Sequence, residues 1–348
     1  MDGEHRLLES MVHEFVQKEI QPVSRDIELR GIPEVLIRKL ADQGFMGAIV
    51  PGSAGGSEMD MTGYSILLRE MARESPSVAF YIMMQNTFGA NVVMKEPGLE
   101  SLVSEIASGQ VNASFYLPDL VGFVNSGKLS IRDNRITGAL NAYINSGADA
   151  FIVPVAGEGY FLVREGFTQG EHSEQLGLRG MSMAPVEFNS SLDNCQRIEA
   201  HRNSIIESSY LPLAAIATGI ALGGLAKAMS YADQREAFHH RLKDFQAIAF
   251  GLSRASSQVD MIDRHLLYLS SMERNARREL MLKISALDFA LEASRLALQV
   301  HGGYGYLLDF GVEKYYRDAM FIAAVTGNYS AEREKLSTLI FESRAGWI

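Results

Sequence analysis

The sequence is almost free of cysteine, because Cys195 is the only one in 348 residues. A single cysteine excludes an intramolecular disulfide and favours a reducing compartment, so we expect a cytoplasmic protein. No pair of histidines that could activate the thiol lies near Cys195 in the sequence. We therefore interpret it as a small, half-buried side chain and not as a nucleophile.

The chain also lacks an excess of positive charge. Its formal net charge is −10 and its pI is about 5.4. No basic surface is available to neutralise a phosphate backbone, which argues against a nucleic-acid partner. His239 and His240 are adjacent and would point to different sides of a helix, so we expect no metal site there.

A secretory signal is missing as well, since the first residues are not a basic segment followed by an apolar one. One stretch, residues 208–226, carries no charge and approaches the length of a membrane span. It contains Pro212, Gly219, Gly223 and Gly224, and Lys227 follows it. These small residues favour a buried core helix over a membrane span.

What is present is a change of hydrophobic period along the chain. Apolar residues at helical spacing occur over residues 7–20, 33–44, 61–72 and 78–94. Short apolar runs between turn residues follow from residue 111, with a hairpin turn predicted at Asp133 and Asn134. Helical spacing returns from about residue 205.

This order predicts an α+β multidomain protein. We expect an α-helical domain over residues 1–110, a small β-barrel or sandwich over residues 111–200, and a four-helix bundle over residues 201–348.

Two motifs stand out near the C-terminus. Residues 299–306 read QVHGGYGY, and residues 312–319 read VEKYYRDA. A long amphipathic helix runs into the first motif, and Gly302 and Gly303 end it because glycine accepts the positive φ of a helix C-terminus. Two residues without side chains also let a ligand approach the backbone closely.

These motifs resemble the C-terminal domain of the acyl-CoA dehydrogenase flavoprotein family, whose members carry Q-x-H/F-G-G-x-G-Y, then V-E-R-Y-Y-R-D-A, then Y-E-G-T. Residues 176–180 also match the L-G-x-R-G of the family's β domain. The resemblance covers nearly the whole chain. It implies an FAD enzyme that desaturates an acyl thioester such as acyl-CoA, forms a homodimer or homotetramer, and passes electrons to an electron-transferring flavoprotein.

The resemblance also implies which residues hold the adenosine and pyrophosphate part of FAD across a subunit interface. The matching positions are Arg235, Phe238, Gln246, Gln299, Gly302 and Gly303. Their chemistry agrees, because a guanidinium matches phosphate geometry, an aromatic ring offers a stacking face, and glycines expose amide donors.

The flavin-ring half of the family pattern is altered. The L-T-E-P-G-A-G-S loop falls at residues 115–122, where only the proline remains and Tyr116 lies near the start. The W-I-T-N motif falls at residues 143–146. By the resemblance, Tyr143 stacks on the flavin, Asn145 bonds its edge, and Asn328 is a further cofactor-binding position.

The family's catalytic glutamate is also missing, because Thr326 stands in its place. A threonine hydroxyl holds its proton too tightly to act as the base that removes an α-proton. Some family members carry the glutamate on the buried helix, at the position of Ser209 beside Tyr210, and we expect these two residues to contact substrate. Glu207 is the alternative base, although a glutamate at a helix start is also simply a favourable charge.

Three functions therefore remain open. The first is acyl-thioester desaturation with a relocated or weakened base. The second is a catalytically degenerate subunit that completes the FAD site of a partner in a hetero-oligomer. The third is a flavin monooxygenase on the same fold, which needs no carboxylate base; the intact motif at residues 299–306 argues against it.

Overall fold

The computed structural model describes residues 3–117, 127–199, 201–326 and 329–342. Along them, helices are followed by strands and then by helices again. The predicted α+β architecture is thus confirmed, and one apolar core runs through both helical regions.

The N-terminal region is helical. Its helices are α1 (Gly3–Phe15), α2 (Ser24–Arg30), α3 (Glu34–Asp42), α4 (Met61–Glu74), α5 (Pro76–Met83), α6 (Asn91–Val93) and α7 (Glu100–Ala107). A π-helical segment, Met84–Ala90, follows α5, so the helix predicted over residues 78–94 is not uniform. Helix α2 is not predicted from the sequence, because Ile27 is its only buried apolar residue and leaves no periodic stripe.

The middle region is built from two four-stranded sheets. Its strands are β1 (Ala113–Phe115), β2 (Gly127–Arg132), β3 (Arg135–Ile144), β4 (Ala150–Val155), β5 (Gly159–Val163), β6 (Phe167–Gln169), β7 (Met183–Ser191) and β8 (Cys195–Ile198). One sheet has the order β1-β4-β5-β8 and the other β2-β3-β7-β6. Asp133 and Asn134, with φ of 48° and 58°, form the predicted turn between β2 and β3. Strands β6 and β8 are not predicted from the sequence, because they contain only 3 and 4 residues.

The C-terminal region is a helical bundle. Its helices are α8 (Arg202–Ser208), α9 (Tyr210–Gln234), α10 (Gln246–Ser270), α11 (Ala276–His301), α12 (Glu313–Thr326) and α13 (Tyr329–Glu342). A small hairpin of β9 (Glu236–Ala237) and β10 (His240–Arg241) connects α9 to α10. Helices α9 and α11 pack along each other, and α10, α12 and α13 pack against α11.

Helix α9 is the centre of the molecule. A Cβ added at Gly219 would lie 2.3 Å from the carbonyl oxygen of Arg69, and one at Gly223 would lie 2.2 Å from that of Arg73. Glycine is therefore required where α9 crosses α4. Helices α8 and α9 together are long and apolar enough to cross a membrane, but 89% of the residues in that window are buried inside the protein.

Helix α12 ties the three regions together. Arg317 forms ion pairs with Glu28 of α2, at 2.9 Å, and with Glu313, at 3.3 Å. Asp318 is fully buried, and its Oδ1 accepts a hydrogen bond from the backbone N–H of Leu178, at 2.7 Å. The L-G-x-R-G segment of the β region is thus anchored to the helix that leads to residue 326.

Candidate functional site

The first group of predicted residues lies at one end of α9 and α11, and we call it the exposed cluster. Its members are Arg235, Phe238, Gln246, Gln299, Gly302 and Gly303. Arg235 ends α9, and its guanidinium carbon lies 5.5 Å from the centre of the Tyr304 ring. Phe238 occupies the turn of the β9–β10 hairpin with a φ of 54°, and its side chain is 87% exposed.

The glycines of the exposed cluster present open backbone. Gly302 ends α11 with a φ of 57°, and its N–H donates to the carbonyl oxygen of Gln299. No atom lies within 4 Å of a Cβ added at Gly302 or Gly303. Within the described ranges, Arg235 has no carboxylate partner at ion-pair distance. The cluster therefore offers a free guanidinium and accessible amides to a ligand.

Aromatic residues that were not identified from the sequence pack together at this end of α9 and α11. His301 stacks on Tyr231 with ring centres 4.3 Å apart, and Phe310 packs edge-on against both rings. His301 Nδ1 bonds the carbonyl oxygen of Ala297 at 2.8 Å, and burial lowers the pKa of this histidine. The signal for this packing was present, because histidine and aromatic residues surround the glycine pair in the motif.

The residues predicted to contact the flavin ring lie inside the β region. Tyr116 and Tyr143 are buried, with ring centres 5.1 Å apart. The Tyr116 hydroxyl donates to the carbonyl oxygen of Asn141 at 2.8 Å, and that of Tyr143 reaches the carbonyl oxygen of Ile152 at 3.3 Å. Burial raises the pKa of Tyr143 well above its usual value. Both rings therefore act as core residues, and their contact with a flavin stays a prediction.

Asn145 is similarly occupied by its neighbours. Its Nδ2 donates to Asn112 Oδ1, at 2.8 Å, and to the carbonyl oxygen of Ala113, at 3.2 Å. It sits in the left-handed region with a φ of 60°, a conformation that asparagine tolerates. Asn328 and most of the altered loop, residues 118–122, lie outside the described residues.

The second group surrounds Thr326 at the other end of α9 and α11, and we call it the buried cluster. Its members are Glu207, Ser209, Tyr210, Lys283, Thr326, Glu332 and Lys335. Thr326 ends α12, and its hydroxyl donates to the carbonyl oxygen of Ile322 at 2.7 Å. Its own carbonyl oxygen accepts from Lys283 Nζ at 2.7 Å. Both the hydroxyl and the carbonyl oxygen of Thr326 are therefore engaged in hydrogen bonds.

Lys283 is the hub of this cluster. It is fully buried, forms an ion pair with Glu332, and has its Nζ 5.6 Å from the centre of the Tyr210 ring. Burial lowers the pKa of Lys283, although the neighbouring carboxylate opposes that effect. The ammonium group of Lys283 lies at the C-terminal end of α12, where it interacts favourably with the negative end of that helix dipole.

The predicted substrate positions adjoin the same hub. Tyr210 is fully buried, and its hydroxyl accepts a hydrogen bond from Lys335 at 3.2 Å. Glu207 pairs with Lys335 at 3.0 Å, so this carboxylate is shared with a cation. The Ser209 hydroxyl donates to the carbonyl oxygen of Ile206 at 2.6 Å. The structure therefore brings Glu207, Tyr210 and Thr326 to the same end of the bundle, and their roles in base catalysis and substrate binding stay predictions.

The two clusters are far apart within one chain. Helix α9 begins at Tyr210 and ends at Gln234, which corresponds to roughly 36 Å at 1.5 Å per residue. A single dinucleotide is shorter than this distance. Metal binding is not indicated: the described residues contain no group of His, Cys, Asp or Glu that could hold an ion.

Comparison with protein families identifies both helical regions. The model of the N-terminal domain of acyl-CoA dehydrogenases matches residues 2–98, and that of the C-terminal domain matches residues 204–338. The second range contains both clusters, and together the two ranges cover most of the chain.

Individual relatives match over nearly their full length. An acyl-CoA dehydrogenase of Bacillus subtilis is 28% identical, covering 95% of this chain and 96% of its own. The subunit CarC of a caffeyl-CoA reductase–Etf complex from Acetobacterium woodii is 25% identical, covering 97% and 98%. A glutaryl-CoA dehydrogenase from Mycobacterium smegmatis, solved in complex with FADH2, has the same fold at 16% identity, with a TM-score of 0.89 over 100% of this chain and 97% of its own.

Proposed function

This chain belongs to the acyl-CoA dehydrogenase family, and on that premise we propose that it is an FAD-dependent oxidoreductase that desaturates an acyl thioester. The observation that carries the proposal is the exposed cluster, which keeps the family's cofactor-binding residues accessible at the end of α9 and α11. FAD, when bound, supplies the acceptor for the hydride that leaves Cβ of the thioester.

The residues present fit the adenosine and pyrophosphate half of FAD. The free guanidinium of Arg235 suits a pyrophosphate oxygen, and the open amides at Gly302 and Gly303 add neutral donors. The exposed ring of Phe238 provides an apolar face for adenine. A folded monomer has little reason to expose these groups together unless a ligand or a second chain covers them.

The separation of the clusters supports our proposal of a homo-oligomer. Since roughly 36 Å of helix lies between them, the exposed cluster of one chain would serve the buried cluster of another. The exposed side chains of Tyr306, Leu307 and Leu308 adjoin the exposed cluster and would be covered in the same contact. We propose a homodimer or a homotetramer built from such pairs.

The electron partner and the direction of reaction are open to a direct assay. The relative from Acetobacterium woodii is named as part of a reductase–Etf complex, so an electron-transferring flavoprotein is the proposed partner. Another relative, from Clostridium sporogenes, is named a 3-(aryl)acrylate reductase. Both directions, desaturation and reduction of the double bond, therefore need to be measured.

The test is an anaerobic titration of the purified flavoprotein with straight-chain, branched and aryl-substituted acyl-CoA thioesters. We expect the flavin absorbance to bleach with at least one of them and to return when an electron acceptor is added. A flavin that stays oxidised with every thioester, and that also fails to reduce the matching enoyl thioesters after chemical reduction, would contradict the proposal.

A second candidate is favoured by the burial of Tyr116 and Tyr143. Because these rings fill the β core, the chain could supply only its exposed cluster to the active site of a catalytic partner. Affinity purification from the native cell distinguishes the two functions. Co-purification with a family member that carries the glutamate would support the degenerate-subunit function, whereas activity of the protein expressed alone would reject it.

A further inference from the structure

We propose that Glu332 is the carboxylate that takes the α-proton of the acyl thioester, in place of the missing carboxylate at residue 326. This inference rests on the function proposed above. It identifies the relocated base with a residue that neither the family motif nor the sequence analysis singles out.

The position of Glu332 follows from its link to Lys283. Lys283 donates one hydrogen bond to the carbonyl oxygen of Thr326 and another to Glu332 Oε1. Two acceptors that share one donor nitrogen lie within about 6 Å of each other. The Glu332 carboxylate is therefore adjacent to the backbone of the residue that aligns with the family base, although it is six positions later in the sequence.

The environment of Glu332 suits a reacting carboxylate. Its side chain is only 13% exposed, so bulk water does not surround it. Oε1 is held by Lys283, while Oε2 has no hydrogen-bond partner among the described residues. One oxygen is thus oriented and the other is available to accept a proton.

Glu207 is the rival carboxylate, and its contacts are less favourable. It is 37% exposed and pairs with Lys335, which is equally exposed. Among the described residues, its link to Lys283 runs through Lys335 and Tyr210. Glu332 instead contacts directly the lysine that is bonded to residue 326.

The proposed step balances without a further co-reactant. The proton moves from Cα to Glu332, and the Cα–H electron pair becomes the second bond between Cα and Cβ. The hydride that leaves Cβ carries its electron pair to the oxidised flavin. Lys283 is a positioning residue, since it orients Glu332 and keeps its own protons on the same acceptors throughout.

The first experiment compares Glu332→Gln with Glu334→Gln, a substitution of an exposed carboxylate on the same helix. We expect Glu332→Gln to slow flavin reduction by acyl-CoA about 10²- to 10⁴-fold, the usual contribution of a general base. FAD content and the dissociation constant for acyl-CoA should stay close to wild type at a temperature at which the variant is folded. The melting temperature should fall, because the buried Lys283 loses its carboxylate partner. Glu334→Gln should leave the rate unchanged.

A second readout does not depend on turnover. In D₂O, the wild-type protein should exchange the α-hydrogens of a bound acyl-CoA for deuterium, as followed by NMR, and Glu332→Gln should not. Adding Thr326→Glu to Glu332→Gln restores a carboxylate at the family position and should recover about 10²-fold in rate. If Glu332→Gln does not fold, Glu332→Asp keeps the charge and should retain exchange at a reduced rate.

The outcomes separate this inference from the proposed function. Wild-type reduction and exchange rates in Glu332→Gln would overturn the role of Glu332 and leave the oxidoreductase function intact. Loss of exchange in Glu207→Gln but not in Glu332→Gln would assign the base to Glu207. A wild-type flavin that no thioester reduces would reject both the function and the inference.

Discussion

The exposed cluster and the buried cluster occupy opposite ends of the same two helices, and they differ in almost every physical respect. The exposed cluster keeps residues that match the family motifs, and there is open space around its glycines. Its Arg235 guanidinium has no carboxylate partner among the described residues. The buried cluster contains Thr326, and its Lys283 is enclosed by an ion pair, a carbonyl oxygen and an aromatic face.

Binding a cofactor and removing a proton from a substrate place different requirements on a site. Residues that bind adenosine and pyrophosphate need accessible donors and a flat ring, which tolerate water and act one by one. Proton abstraction needs a carboxylate in a defined position, and this requires several helices to meet. We propose that in this chain the family's own motif meets the first requirement and that a different set of contacts meets the second.

The largest expected effect comes from removing the hub of the buried cluster. Lys283→Met leaves the largely buried Glu332 without its cation. It also leaves the carbonyl oxygen of Thr326, at the end of α12, without its hydrogen-bond donor. We expect the unfolding free energy to fall by about 3–5 kcal/mol, as for other broken buried ion pairs. Lys335→Met is the control, because this lysine is more exposed and its pair should contribute no more than about 1 kcal/mol. Denaturant midpoints at fixed protein and FAD concentration measure both, and equal losses would contradict the distinction.

The next effect concerns α12, which leads from the exposed end of the bundle to Thr326. Burial raises the pKa of Asp318 to about 8, and the nearby Glu28 adds to the shift, while Arg317 and Lys314 oppose it. Between about pH 4 and pH 8, Asp318 is then protonated in the folded chain but ionised in the unfolded chain, because the pKa of an unfolded aspartate is about 3.9. Stability should therefore fall by up to about 2–3 kcal/mol from pH 6 to pH 8 and level off above it.

Asp318→Asn tests this pH dependence. The amide oxygen can still accept the Leu178 N–H, so the variant should fold, and its melting temperature should lack the decline between pH 6 and pH 8 that the wild type shows. An unchanged pH profile would show that Asp318 is ionised in the folded protein.

On the exposed side, Arg235→Ala should weaken FAD binding with little effect on folding. Loss of a charge-assisted hydrogen bond corresponds to roughly a 10- to 100-fold rise in the FAD dissociation constant. Arg241 lies in the same hairpin but is paired with Asp233, so Arg241→Ala serves as the matched control. Fluorescence titration of the apoprotein with FAD gives both constants. Similar losses in the two variants would mean that only the net charge of the hairpin matters.

The smallest expected effect concerns Tyr143 and distinguishes a core residue from a residue that contacts the flavin. Tyr143→Phe removes a hydroxyl bonded to backbone carbonyl oxygens and should lower stability by about 1 kcal/mol. FAD content should not change. Tyr268→Phe, on the exposed surface of α10, should alter neither property. If FAD is lost from Tyr143→Phe while its stability is kept, the tyrosine contacts the flavin after all.

The proximity of the exposed-cluster residues could be predicted from the sequence, because these residues lie in short motifs next to helix ends. Glycines at the end of a periodic stripe and an Arg-x-x-Phe after another helix are local patterns, and the fold places both at the same end. The order of helices and strands was predictable for the same reason, except for short elements such as β6 and α2 that carry too few apolar residues.

The buried cluster was only partly predictable. Thr326 and Ser209 were identified by the resemblance to the family motifs, and Glu207 because it is the carboxylate two residues before Ser209. Lys283 and Glu332 were missed because they meet across 49 positions of sequence. One signal was available. Lys283 lies three residues after Leu280 and four before Leu287, on the apolar face of α11. A lysine within such a stripe must find a partner when the helix is buried.

The most direct test of the central claim, that this chain alone completes an FAD site from two separate clusters, is the visible absorption spectrum of the protein expressed by itself and purified without added cofactor. We predict flavin bands that correspond to about one FAD per chain in an oligomer, and loss of those bands when the oligomer is dissociated. A colourless protein that also fails to take up added FAD would contradict the account and favour the degenerate-subunit function.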